Sequence, residues 1–378
     1  MIKILQVNKF FYPWFGGVET VVTQLVEHLS KDSDNKVGVI AGNEKINSSK
    51  SFYKWNGADV YKTGSCAIKF STPISFTYPF VLKKLINEYD VFHFHVPNPL
   101  AELSFFFFHF PPSKKVVVTV HADVGQTRWK FFSPVYNFFL KKMLKRADVI
   151  TTMAPQNIES FDVLRKFKKK CVVVPLAFDE THICEVDETE KQSFYDKYGI
   201  DKQKKIVLFV GRLSYYKGIN YLLEAVSNLK DVQLLIVGDG ALKDESMLLA
   251  KKLNIADRVF FTGFLRGHDA ACAFTISDVF VLPSITKSET FGIVQLEAMR
   301  FGLPVINTNL PTGVVSVGKD GETGYTIEPA DTLALTKAID KLLSDDKLRK
   351  EFSENAFQTA LQFTPEIMVD KYKKIYLN

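Results

Sequence analysis

Short apolar runs alternate with helical periodicity along almost the whole chain, and this alternation limits the fold more than any other feature. Runs at 2–7, 37–41, 91–94, 116–120, 149–152 and 172–174 have the length and Val/Ile/Leu content of strands. Amphipathic patterns fall between most of them; Val18, Val21, Val22, Leu25, Val26 and Leu29 trace the first helix face. Residues 175–188 have no clear period and read as a linker. A second set of strand-like runs follows at 206–210, 234–237, 259–261, 279–282 and 305–306, again with helices interposed. Strands in this alternation form a parallel sheet covered on both faces. A chain of 378 residues exceeds one ordinary core. Two α/β domains are therefore expected, 1–178 and 179–364, meeting at a cleft where the carboxyl ends of the strands bind ligands.

Composition excludes several classes. With 46% hydrophobic and 24% charged residues the chain is a globular protein, and it contains no apolar run of 18 residues. Met1, Ile2 and Lys3 lead directly into a strand, which leaves no room for a signal peptide, so a cytoplasmic location is expected. Cys66, Cys171, Cys184 and Cys272 lack metal-ligand spacing and are expected to be reduced, buried thiols. Residues 1–178 carry 24 basic against 13 acidic residues, a net +11, and the remainder carries 24 against 29, a net −5. A basic half predicts a polyanionic partner. Large aromatics are mixed with the basic residues in Ser104 to Phe110, in Arg128-Trp129-Lys130-Phe131-Phe132 and in Phe138 to Arg146. That mixture favours the anionic inner face of a membrane over nucleic acid. Core phenylalanines with snorkelling lysines are the alternative.

The chemistry is concentrated at strand ends. Gly16 and Gly17 open the first helix, where paired glycines let backbone approach a ligand or merely make a tight turn. His121 follows a strand, with Asp123 two residues on, and can bond a substrate hydroxyl or phosphate, or else a backbone group. His93 is expected in the core, and His95, with Asp123, at the acceptor. No His has partners at metal spacing, so no metal site is expected. In the second half, Gly211, Arg212, Lys217 and Gly218 join a strand to a helix, offering a guanidinium fork and a point charge for phosphate. Gly238 repeats the strand-to-glycine turn at the next crossover, and Phe264 offers a ring to a nucleobase. Glu289 precedes a helix and Glu297 follows eight residues later, roughly 12 Å at a helical rise of ~1.5 Å per residue. Carboxylates accept from sugar and ribose hydroxyls, and the amides of Phe291, Gly292 and Ile293 between them face phosphate.

These motifs in this order (Gly-Gly-Val-Glu at 16–19, Gly-Arg-Leu…Lys-Gly at 211–218, Val-Gly-Asp-Gly at 237–240, Glu289 and Glu297) resemble the retaining glycosyltransferases of family 4. The resemblance covers nearly the whole chain and implies the GT-B architecture, two facing Rossmann-like α/β/α domains with a central cleft. It implies that Arg212 and Lys217 hold the donor diphosphate, Glu289 the donor sugar and Glu297 the ribose. Gly16 and Gly17 would make room for the phosphate, and His121 would touch the sugar near the reacting centre. The last helix, 365–377, would cross back to the first domain. Family members are typically metal-independent, and the sole Asp-x-Asp, Asp32-Ser33-Asp34, reads as a loop; no cofactor is expected.

Thr119 to Val124 with Gln126, and Asn307 to Val314, look like segments of bacterial enzymes that build O-antigen or capsule mannan. On that similarity the donor is GDP-mannose and the acceptor a saccharide or lipid-linked saccharide. A UDP-hexose or UDP-N-acetylhexosamine donor is the alternative within the class. A sugar-nucleotide epimerase and a non-catalytic nucleotide-binding protein are the alternatives outside it.

Overall fold

The computed structural model describes residues 1–14, 16–69, 72–123, 133–178 and 183–378. Two compact units emerge: Met1–Leu176 with Pro365–Asn378, and Ala177–Thr364. The change of unit falls between Leu176 and Ala177 rather than after Phe178, whose amide bonds the Phe363 carbonyl of the second unit at 3.2 Å.

The first unit contains β1 (Ile2–Val7), β2 (Asn35–Gly42), β3 (Ser51–Trp55), β4 (Ala58–Thr63), β5 (Ala67–Lys69), β6 (Thr72–Ile74), β7 (Val91–Val96), β8 (Lys115–Val120), β9 (Val149–Thr152) and β10 (Cys171–Val173). Eight of them form a sheet in the order β10-β9-β8-β7-β1-β2-β4-β3, parallel apart from the antiparallel edge strand β3. The chain direction across this sheet reverses between β1 and β7. The edge pair β3–β4 and the ribbon β5–β6 have no counterpart among the expected strands. Their short polar–apolar mixture, with Asn56 and Gly57 at positive φ in the turn, carries little periodicity.

The helix Gly17–Ser30 buries Val21, Val22, Leu25, Val26 and Leu29, the stripe read from the sequence. The C-terminal helix Pro365–Leu377 packs into the first unit through Met368, Val369, Tyr372 and Tyr376. Lys373 of that helix donates to Asp32 Oδ2 at 3.0 Å, and the Asp34 amide donates to Asp32 Oδ1 at 3.0 Å. The Lys373 hydrogen bond, with help from that amide, holds the Asp32 carboxyl below its usual range. The Asp-x-Asp is thus a helix-docking loop.

The second unit contains β11 (Lys205–Val210), β12 (Val232–Val237), β13 (Val259–Gly263), β14 (Val279–Leu282), β15 (Val305–Thr308) and β16 (Gly324–Ile327). All pair in parallel in the order β13-β12-β11-β14-β15-β16. That is the Rossmann order, with its switch point between β11 and β14. Its first helix, Glu188–Tyr198, starts on a capping box in which Asp187 and Glu190 each accept the other's amide, and Gly199 ends it at φ 69°. The helices Thr332–Ser344 and Asp346–Ala360 bury Leu335, Ile339, Leu342 and Phe352 against the sheet.

All four cysteines are free, yet only Cys272 is buried and Cys66 is exposed. Apolar character led to an expectation of burial that tertiary position overrides. Among the described residues no helix is long and apolar enough to cross a membrane.

Candidate functional site

In the first unit the polar side chains gather where β1, β7 and β8 end. Gly16 lies extended at the start of the first helix, and a Cβ there would strike the Glu19 carboxylate. A Cβ on Gly17 would meet nothing among the described residues, which do not by their packing require glycine at that position. His121, directly after β8, is 4% exposed and has its Nε2 3.0 Å from His95 Nδ1. Burial, with the Lys9 ammonium nearby, pushes His121 down to about 3, so the ring is neutral at physiological pH. Asp123 is buried and accepts from the Asp162 amide at 3.2 Å.

His95 does not stand where an acceptor could touch it. The ring is fully buried, with Nε2 2.8 Å from Gln6 Oε1 and Nδ1 on His121, so both nitrogens are occupied. Strand alternation points it to the helix-covered face with His93, and the C-terminal helix closes over that face. Beside this cluster, Glu102 is buried and accepts from the Asn98 amide at 2.9 Å and from the Tyr136 hydroxyl at 2.5 Å. Its burial pushes the carboxyl up to about 7.

The second unit assembles its chemistry at the switch point. The loop after β11 turns at Gly211, and Lys217 lies across the space a side chain there would fill, its Nζ 3.5 Å from that Cβ position. Gly218, at φ 66°, starts the helix Ile219–Ser227 pressed against the Pro283 carbonyl. Gly238 is tied to the same turn, since a Cβ there would collide with the Gly211 carbonyl. The loop after β14 brings Glu289 onto Lys217, Oε2 to Nζ 2.5 Å, both largely buried. Ser284 donates to the same oxygen at 3.1 Å and Thr312 donates to the Glu289 carbonyl at 2.7 Å, which fixes the side chain and the backbone of this residue. Burial alone would lower the Lys217 pKa; the Glu289 charge, with Tyr216 and Glu297, outweighs it and raises it, so the ammonium persists.

Helical geometry begins only at Ile293, with Gly292 at φ 73° as its cap, so helical rise does not describe the path from Glu289 to Glu297. The positive φ turns the chain so that the N–H groups of Phe291, Gly292, Ile293 and Val294 have no acceptor among the described residues. These are free donors at a helix start, the arrangement that binds phosphate. The Phe291 ring itself is buried in the core, near Phe363, so this residue can offer its amide alone. Arg212 is exposed with no carboxylate partner among the described residues. Phe264, 64% exposed after β13, carries the Arg266 guanidinium 4.8 Å above its ring. Sequence reasoning missed Ser284, Thr312, Gln6 and Tyr376, none of which lies within a recognisable spacing. Among the described residues no group of three His, Cys, Asp or Glu side chains could hold a metal.

A Rossmann-ordered unit with an ammonium, a fixed carboxylate and free helix amides at its switch point, together with a second unit built on a mainly parallel sheet, makes up the two Rossmann-like halves of a GT-B fold. Two family models match successive halves of the chain: glycosyltransferase family 4 over residues 15–182 and glycosyl transferases group 1 over 190–359. The chain belongs to this family of glycosyltransferases. It is 28% identical to an O-antigen chain mannosyltransferase C of Escherichia coli, covering 99% of this chain and 98% of that one. It is also 28% identical to the D-rhamnosyltransferase WbpZ of Pseudomonas aeruginosa, over 90% and 86% of the two chains. The sucrose-phosphate synthase of Thermosynechococcus elongatus shares the fold at TM-score 0.80 and 21% identity, covering 100% of this chain and 98% of that one.

Proposed function

We propose that this glycosyltransferase moves mannose from GDP-mannose to a saccharide or lipid-linked saccharide, with retention at the anomeric carbon and without a metal. The observation that carries this reading is the Lys217–Glu289 pair beside the free amides of residues 291–294. Glu289 accepts from donor-sugar hydroxyls; Lys217, Arg212 and the amides meet the charge that grows on the diphosphate as its bond to the sugar breaks. Glu297 takes the ribose, Gly211 and Gly238 let backbone approach the diphosphate, and Phe264 with Arg266 gives the base a stacking platform. Gly16 and Gly17 give the phosphate room, and His121 contacts the sugar. The acceptor oxygen bonds to the anomeric carbon on the face the diphosphate leaves, and its proton passes to the departing phosphate oxygen. The relative named as an O-antigen chain mannosyltransferase supports mannose as the sugar moved.

A thermal-shift screen of sugar nucleotides tests the donor. A ligand at about 100 times its dissociation constant adds ~2.7 kcal/mol of stability. GDP-mannose should give the largest shift, and Glu297→Ala should blunt it. A UDP-hexose that shifts the midpoint while GDP-mannose does not would replace the donor and keep the reaction. Arg212→Ala, at an exposed position, should fold normally and lose on the order of 10²–10³ in turnover. Full turnover in that variant would remove Arg212 from the site. Nucleoside diphosphate release that depends on acceptor excludes an epimerase and a passive binder.

We also infer that the first unit docks on an anionic membrane surface, where a lipid-linked acceptor is presented. The adjacent helices Tyr78–Leu85, Pro99–Phe107 and Ser133–Arg146 expose Phe80, Phe107 and Phe138, with Phe76 just ahead of the first. Lys83, Lys84, Lys141, Lys142 and Lys145 are exposed among them. The Lys142 ammonium sits 4.5 Å from the Phe106 centroid and 5.0 Å from that of Phe138, above a groove of about 500 Å³. The basic stretch 128–132 lies outside the described residues. Each Lys near an anionic surface contributes about 1 kcal/mol, screened by salt. Co-sedimentation with anionic vesicles should fall as salt rises and fall further in Phe107→Ser/Phe138→Ser; no binding to such vesicles would leave a soluble acceptor.

A further inference from the structure

The first unit contains a continuous chain of buried polar side chains that leads from the C-terminal helix to His121. Gln6 Nε2 donates to the Tyr376 hydroxyl at 3.2 Å, while Gln6 Oε1 faces His95 Nε2 at 2.8 Å. His95 Nδ1 faces His121 Nε2 at 3.0 Å. The Tyr376 hydroxyl lies 2.7 Å from His93 Nδ1, and His93 Nε2 lies 2.6 Å from Thr119 Oγ1. Thr119, Thr151 and Tyr372 close the other end as a ring of hydroxyls at 2.5, 3.0 and 3.3 Å. Every member is buried, and His93 and His95 are fully so.

Proton bookkeeping through this chain has a definite direction. A carboxamide oxygen only accepts, so the His95 nitrogen facing it carries the N–H. Burial keeps all three imidazoles neutral, each with one N–H. His95 Nδ1 therefore holds a lone pair, and His121 Nε2 must donate to it. That leaves the lone pair of His121 on Nδ1, which has no partner among the described residues. On the other side, Tyr376 accepts from Gln6 and donates to His93 Nδ1, and His93 Nε2–H donates to Thr119, so donor meets acceptor at each of these contacts. The reverse arrangement would put an N–H on His121 Nδ1, and it would require the Gln6 amide to turn so that Nε2 faces His95 and Oε1 faces Tyr376, opposite to the orientation observed.

We propose that Gln6, His95 and Tyr376 are positioning residues that hold His121 in the tautomer protonated on Nε2, so that Nδ1 is offered as an acceptor and recognises a donor such as a sugar hydroxyl rather than a phosphate oxygen. The ligand assignment rests on the glycosyl-transfer reading; the tautomer does not. The proposal also gives Tyr376 of the C-terminal helix a role at the site beyond docking the helix.

The test is ring ¹⁵N–¹H correlation on the full-length protein with ¹⁵N-labelled histidine, without donor, the His121 signals being identified by their loss in His121→Gln. Protonated and bare ring nitrogens are well separated in shift. Wild type should show His121 protonated on Nε2. Gln6→Leu removes the acceptor for His95, which should let both rings flip and place the proton on His121 Nδ1. Turnover with GDP-mannose should fall about tenfold. Gln6→Glu, which keeps an acceptor oxygen, should retain the wild-type tautomer and most of the turnover. Tyr376→Phe, which frees the Gln6 amide to rotate, should give a mixture and serves if Gln6→Leu does not fold. His121 protonated on Nδ1 in wild type, or an unchanged tautomer in both Gln6→Leu and Tyr376→Phe, overturns the proposal. The expected tautomer in a protein inactive with every nucleotide sugar would instead overturn the transferase reading.

Discussion

Lys217 and Glu289 serve as each other's buried counter-charge at the switch point of the second sheet, so either side chain has a structural consequence as well as a chemical one. Breaking such a pair on one side typically costs ~3–5 kcal/mol, because the remaining charge stays buried. Lys217→Ala should lower the unfolding free energy measured in urea by that much and abolish transfer. Lys217→Met with Glu289→Gln should recover most of the stability and none of the transfer; a Lys217→Ala protein as stable as wild type would show that the pair is not formed in solution. Glu102 gives a second residue-level test, in the first unit. Its carboxyl is raised to about 7 by burial. An acid raised on folding loses folded-state stability as pH climbs from its unfolded value towards its folded one, and the loss is complete above the latter. Unfolding free energy of Glu102→Gln should therefore gain about 3 kcal/mol on wild type between pH ~4.5 and ~7 and stay level above. A gap that does not change across that window would place an ionised Glu102 in water.

Elements present these groups through their ends. The helix Ile293–Arg300 begins on Gly292 at φ 73°, where a Cβ would lie 2.6 Å from Gln295 Nε2 and 2.8 Å from Leu282 Cδ2. Left-handed backbone costs a residue with a Cβ ~1–2 kcal/mol before any clash. Gly292→Ala should lose at least that in stability and weaken donor binding, since it re-aims the amides of residues 291–294. Gly17 is the opposite case. Its Cβ would meet no atom of the described residues, so Gly17→Ala should melt like wild type. A loss of donor binding without a loss of stability would mark close approach of the ligand to that helix start; unchanged binding would leave the turn purely structural.

Across the whole molecule, each unit has its own buried core, and the chain returns to the first unit only in its last helix. That helix covers His93 and supplies Tyr372 and Tyr376 to a network otherwise built from β1, β7, β8 and β9. Deleting residues 365–378 would leave those polar groups without partners. Hydrogen exchange should then rise throughout β1, β7 and β8 while β11, β12 and β14 keep their protection. Protection retained in the first sheet would show that the helix is an accessory.

The amino-acid sequence by itself determined most of what depends on neighbours along the chain. It specified the alternating strands and helices, the glycine turns at strand ends, the first helix stripe and the positions of Arg212, Lys217, Glu289 and Glu297. It also carried enough ordered motifs to indicate the family. Strand order is set by long-range pairing that no local pattern encodes, and strand order decided the rest. It brought the β11 and β14 loops together and so turned Lys217 and Glu289 into one ion pair. It set β7 beside β1 and β8, which sealed His95 between Gln6 and His121 instead of leaving it free at a rim. The edge strand β3 and the strand β16 stayed illegible because each draws its stability from a partner strand rather than from an apolar run of its own. Burial, too, is a property of the packed molecule: Cys66 and Phe107, both apolar, are exposed, while the polar Glu102 and His93 are enclosed because hydrogen-bond partners from distant elements meet them there.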